Sequence, residues 1–215
     1  MTVTLLDPAI RELAPGFDVR RVLPVPARRA IGPFVFLDHF GPTALARGED
    51  ADVRPHPHVG LATVTWLFDG EIVHRDSLGC VQPIRPGEVN WMVAGHGIVH
   101  SERAPADRRG RPSSTHGLQA WVALPRERED DPPAFVHVPA REVPVHDHGG
   151  ARLAIVAGEA WGLRSPVPAA GRPLYAVGTL AAGAGLALPV DTIERGVYVV
   201  DGGIALDGVE VRAGR

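Results

Sequence analysis

Short apolar runs of roughly four to eight residues, separated by Gly-Pro, Asp-Gly and Pro-Gly pairs, recur along most of the chain. That cadence predicts strands rather than helices. The first 30 residues lack it: Pro15, Pro24 and Pro26 interrupt them, and an irregular segment is expected. GPFVFLDHFGP (Gly32 to Pro42) is predicted as a strand closed at both ends by Gly-Pro, with a polar loop from Thr43 to Val53. LATVTWLF (Leu61 to Phe68) has the composition of a strong strand. Asp69-Gly70 then signals a hairpin, with EIVHRDS as the return strand. VQPIRPGEVNWMVAG reads as two strands about Pro86-Gly87, GIVHSER as another, and THGLQAWVALP as the last. About seven strands between residues 32 and 125 suit one small antiparallel barrel.

The charged, Pro-containing stretch REREDDPP (Arg126 to Pro133) is predicted as a linker. Beyond it FVHVP, ARLAIVAGEAWG, LYAVGTLAAG and GVYVVDGGIALDGVEVRAGR resume the cadence. The expected class is therefore all-β, with an antiparallel barrel in residues 1–125 and a second in residues 134–215. No obvious closing strands follow the hairpin-like DGVEVRAGR, so the second barrel is expected to be incomplete.

Composition narrows the function classes. At 215 residues and net charge -3 the chain has no basic footprint for direct nucleic-acid binding, and its basic residues are all arginine. The start, MTVTLLDPAIREL, lacks a basic n-region and an apolar h-region, and no apolar run is long enough to span a bilayer. A cytoplasmic protein is expected. The lone Cys80 excludes an intrachain disulfide, and with no cationic neighbour in sequence it is expected to be inert.

The chemistry concentrates in two pairs. His56 and His58 in RPHPHVG share one face of an extended strand, and so do His100 and Glu102 in IVHSER. Two such pairs entering one barrel would converge as three imidazoles and a carboxylate, whose burial without partners is costly. A divalent metal removes that cost. A metal preferring six ligands would keep two positions for water, dioxygen or substrate, whereas a closed structural zinc site more often uses cysteines. Free imidazole protonates near pH 6.5, so metal affinity is expected to fall below roughly that pH. HDHGG (His146 to Gly150) repeats the spacing among Asp and Gly and is expected to be a surface turn without metal.

PHPHVGLATVTWLFDG, HRDSLG, IRPGEVNWMVAGHGIVHSE and HGLQAWVALP, in that order, resemble the pirin family of the cupin superfamily. The resemblance runs from about Val19 to Pro125 and continues more loosely through IVAGEAWG (Ile155 to Gly162). It implies two stacked cupin barrels, with one metal in the first, iron in the best-known members. The matching ligand positions are His56, His58, His100 and Glu102. The same donor set accepts Mn, Ni, Cu or Zn. The usual cupin glutamate, five residues after the second histidine, is replaced by Thr63, so Glu102 is the only acid of the set. Members of the family resemble quercetin 2,3-dioxygenase. The resemblance thus implies a small aromatic flavonol and dioxygen as substrates, with Glu102 as the catalytic base. The alternative it implies is a redox-responsive regulator that binds a transcription factor or a metabolic enzyme.

Around the four ligands, His116 and Gln119 are candidates for hydrogen-bond support of a ligand imidazole. His74 and Asp76 are expected to have a structural role at a strand end, and His96 to lie at the pocket rim. Trp66, Met92 and Trp121 are expected in the core, lining the pocket only where strand parity turns them toward the metal.

Overall fold

The computed structural model describes residues 2–14, 17–45, 52–109, 111–190 and 194–215. Ten strands precede residue 126: β1 (Ala9–Ala14), β2 (Phe17–Leu23), β3 (Phe34–Leu45), β4 (Val53–His58), β5 (Leu61–Asp69), β6 (Ile72–Asp76), β7 (Val81–Ile84), β8 (Val89–Val93), β9 (Ile98–Arg103) and β10 (Ser113–Ala123). After a 3-10 turn at Arg126–Arg128 comes β11 (Ala134–Val138), then β12 (Val145–His148), β13 (Ala151–Ala157), β14 (Glu159–Ala160), β15 (Leu163–Arg164), β16 (Tyr175–Leu180), β17 (Gly203–Leu206) and β18 (Val209–Arg212). No helix among the described residues is long and apolar enough to cross a membrane.

Two antiparallel sheets face each other in the first half. The large one has the order β1-β2-β3-β10-β5-β8-β11 and the small one β4-β9-β6-β7. The second half carries the sheet β12-β13-β16 and the hairpins β14-β15 and β17-β18. This is the expected all-β architecture of two cupin-like sheet units.

The middle of the large sheet is buried on both sides. On β5, Ala62, Val64 and Trp66 point outward into a core that also holds Trp91, Ala120 and Val122, together with Val156, Ala157 and Val167 of the second half. Thr63, Thr65 and Leu67 alternate with them and point inward. Burial on both faces is why LATVTWLF reads as a continuous apolar-and-threonine run.

Several local expectations are corrected. Residues 9–14 and 17–23 are not irregular: β1 pairs with β2 and β2 with β3, with register shifts at Glu12–Ala14 and Arg21–Leu23. FDVRRV alternates, and Phe17 and Val19 are buried against Phe40, Leu67 and Ile84. β1 is the sheet edge, where charged residues such as Arg11 and Glu12 are tolerated. The Gly41-Pro42 pair does not end β3. It forms an irregularity opposite His116, and the strand runs on to Leu45; residues 46–51 of the predicted polar loop lie outside the described residues. Asp69-Gly70 is a turn, yet β5 and β6 do not pair, because it carries the chain from the large sheet to the small one. Ala134–Val138 follows the charged stretch but pairs with β8 of the large sheet. HDHGG is not wholly a turn: His146 and His148 sit on β12, and only the two glycines turn.

Candidate metal centre

The small sheet supplies the donors. β4 is its edge strand, where Pro55 and Pro57 cost no central ladder bond. The alternation of β4 turns His56 and His58 toward the large sheet. Antiparallel pairing sets His56 directly opposite His100 on β9. Ring centroids lie 4.4 Å apart for His56 and His100, and 4.9 Å for His58 with either partner. One nitrogen from each ring falls within 4.8 Å of the others.

Hydrogen bonds select the tautomers. His56 Nδ1 lies 2.8 Å from the Arg54 carbonyl, which only accepts, so Nδ1 carries the proton and Nε2 keeps its lone pair. Behind His100 runs a relay of contacts. Asp76 Oδ2 accepts from His74 Nε2 at 2.8 Å, leaving His74 Nδ1 to accept from His100 Nδ1 at 3.3 Å. His100 Nε2 is thereby freed, and it faces His58 Nε2 at 3.0 Å. Three converging ring nitrogens in a buried place are the chemistry of a divalent-cation site, so the donor set fits a metal. His74 is fixed in turn by the ring of Phe135 on β11, stacked at 4.3 Å.

Burial holds these rings neutral. His58 is 7% exposed, and burial followed by the charge of His56 lowers its pKa to about 4. His100 is 2% exposed and is lowered to about 2 by burial, then by His56, His58 and His74.

Glu102 shares the inward parity of His100 but is not among the converging donors. Its Oε1 lies 3.4 Å from Thr65 Oγ1, which is closer, at 2.8 Å, to Gln119 Oε1. A hydroxyl has one proton, so the Gln119 contact leaves Glu102 loosely held. Burial raises the carboxyl pKa above the ordinary range, opposed by His56 and the Thr65 hydroxyl.

His56, His58, Glu102 and Gln119 line one cavity of about 280 Å3, with Phe36 and Trp121 among its aromatic walls. Trp121 stacks on Phe36 at 4.0 Å and meets His58 edge-on at 4.9 Å. Arg21 lies 4.4 Å over the Phe36 ring and is fixed by two bonds, of 2.9 and 2.8 Å, to the buried Asp38.

A family model described as Pirin matches residues 16–122. A pirin-like protein of Caulobacter vibrioides is 47% identical over 97% of this chain and 73% of its own length. The chain belongs to the pirin family. A Pseudomonas aeruginosa protein provisionally named a quercetin 2,3-dioxygenase is 46% identical over 72% of the chain, but only 47% of that protein is covered. A crystal structure of quercetin 2,3-dioxygenase from Acinetobacter baumannii superposes with a TM-score of 0.71 at 40% identity, covering 76% of this chain and 53% of that one. The chain thus spans about half the length of those two relatives.

Within this pirin-family site, the residues suggested as supports separate. Gln119 lines the cavity and contacts Thr65. His116 does not reach the imidazoles: three residues apart on one strand, it and Gln119 face opposite ways, and His116 Nε2 meets His39 Nε2 at 2.8 Å. The support the sequence reading missed is His74, whose i, i+2 spacing to Asp76 repeats the ligand pattern and was a legible signal. Trp66 and Met92 are core residues, whereas Trp121 is half-buried and lines the cavity. His96 is exposed and lines no part of that cavity. His146 rests on Trp161, and His146 and His148 belong to no metal cluster among the described residues. Burial, then the charge of Asp76, raises the Cys80 pKa, away from a reactive thiolate.

Two measurements follow from this geometry. Asp76→Asn offers His74 an amide that can reverse the tautomers, so metal affinity is expected to fall about 10–100-fold. Competition with a chelator checks it, and an unchanged affinity contradicts the relay. The pH response is the second. Because His58 and His100 refuse protons that the unfolded chain accepts near 6.5, stability of the metal-free protein is expected to fall as pH drops from about 6.5 toward 4. Metal affinity is likewise expected to fall as the pH drops, because protons compete with the metal for the imidazole nitrogens. Thermal melts and metal content after dialysis at stepped pH read the two effects separately. Rising metal-free stability over that window contradicts the assignment.

Proposed function

We propose that this chain is the metal-binding part of a dioxygenase of quercetin 2,3-dioxygenase type, acting on flavonol-like aromatic substrates with Fe(II) as its metal. The observation that supports this reading is the aromatic-walled cavity beside the three imidazoles. Its volume is close to the lower end of small-molecule sites. A bound divalent ion would lower the pKa of a coordinated substrate hydroxyl and orient substrate with dioxygen. His56, His58 and His100 hold that ion. Trp121 and Phe36 wall the cavity and exclude water from around the substrate. Glu102 accepts the hydroxyl proton, a role that its loose hydrogen bonding and raised proton affinity suit. Glu102 would supply the fourth ligand.

The test is direct. The protein is loaded anaerobically with Fe(II), Mn(II), Ni(II) or Cu(II), then given quercetin and oxygen, and carbon monoxide is measured. Carbon monoxide in step with quercetin loss is expected. Its absence with every metal removes the flavonol reading.

A further inference from the structure

Along β9, His100 and Glu102 face inward, so Val99, Ser101 and Arg103 face the other way. With Arg75 of β6 and Ser77 just beyond it, they line a groove of about 570 Å3 on the back of the small sheet. It shares His100 and Asp76 with the metal centre, but Arg75, Ser77, Ser101 and Arg103 have no part in the proposed oxygenase chemistry.

The acceptors in this groove are already engaged inside the protein. Asp76 receives His74 and the amides of Leu78 and Cys80, and Asp52 receives the Ala104 amide and the Arg109 guanidinium. The donors are not. Ser77 Oγ takes the Val99 amide at 3.2 Å, and Ser101 Oγ takes Arg103 Nε at 3.2 Å. Each oxygen is therefore occupied while its hydroxyl hydrogen remains to be donated. Ser101 is only 4% exposed and lines the groove. Arg75 and the terminal nitrogens of Arg103 have no acidic partner among the described residues. Two guanidinium groups and two hydroxyls, all with hydrogens to give, face one concave space. The chain as a whole is negative, so this excess of positive donors is local.

We propose that the groove binds a tetrahedral oxyanion of the phosphate type, either free or as the phosphate of a small ester. Guanidinium forks match such oxygens in charge and geometry, and a buried hydroxyl adds a fixed donor.

Calorimetric titration of the metal-loaded chain with inorganic phosphate, adenosine monophosphate and adenosine tests this. Saturable binding of phosphate or of the monophosphate is expected, and none of adenosine; tighter binding of the monophosphate assigns the ester as the source. Arg75→Ala and Arg103→Ala are each expected to weaken binding about tenfold, with metal content unchanged, while Arg126→Ala has no effect. His58→Ala should leave binding in place, which separates the groove from phosphate held on the metal. Absence of saturable binding, equal binding by the double arginine variant, or loss of binding in His58→Ala overturns the proposal.

Discussion

His58→Ala is expected to lose its metal. One of three converging nitrogens goes, and His56 and His100 alone cannot close around a cation. The loss of affinity should exceed about 100-fold, beyond what removing a ligand's hydrogen-bond partner usually costs. The wild-type protein should gain thermal stability when metal is added, by about 4 kcal/mol at a thousandfold excess over Kd, whereas the variant should gain almost nothing. Without metal the variant should melt somewhat lower, because it loses a buried ring and that ring's 3.0 Å contact with His100 Nε2. His146→Ala, in the other His-X-His pair, should keep full metal content. Wild-type stoichiometry in His58→Ala would refute the site.

Glu102→Gln is expected to separate binding from chemistry. Three imidazoles converge without it, so the metal should stay, while turnover of a flavonol falls about 10²–10⁴-fold for want of a proton acceptor. The carboxyl must be ionised to act, and its pKa is raised. In the wild type the rate profile should carry an acid limb set by this carboxyl, and that limb should vanish in the variant. Loss of metal along with activity would instead make Glu102 a tight ligand. Undiminished turnover would exclude it as the base.

The histidine cluster was legible because its information is local. An i, i+2 spacing fixes a shared face on any strand, and two such pairs need only one antiparallel register to meet. The supports were less legible. His116 and Gln119 are an odd number apart, so strand parity alone excluded both from one site. His74 and Asp76 had the favourable parity, but nothing local said that β6 would lie beside β9. The same gap explains the misread turn at Asp69-Gly70. Local sequence marks a reversal, and only packing decides which sheet receives the next strand. β1 and β2 were hidden by Pro15 and by arginines, although Phe17 and Val19 already alternated with charged neighbours.

The large sheet serves two masters: one face closes the metal cavity and the other carries the second half of the chain. Severing that second half would leave Ala62, Val64 and Trp91 against water, on the very strands whose reverse faces hold Thr63, Thr65 and Met92. The halves are therefore welded into a single cooperative unit, and heat should dismantle them together in one transition. Substitutions far along the chain, at Val156 or Val167, can for that reason loosen the metal's surroundings with no direct contact to them.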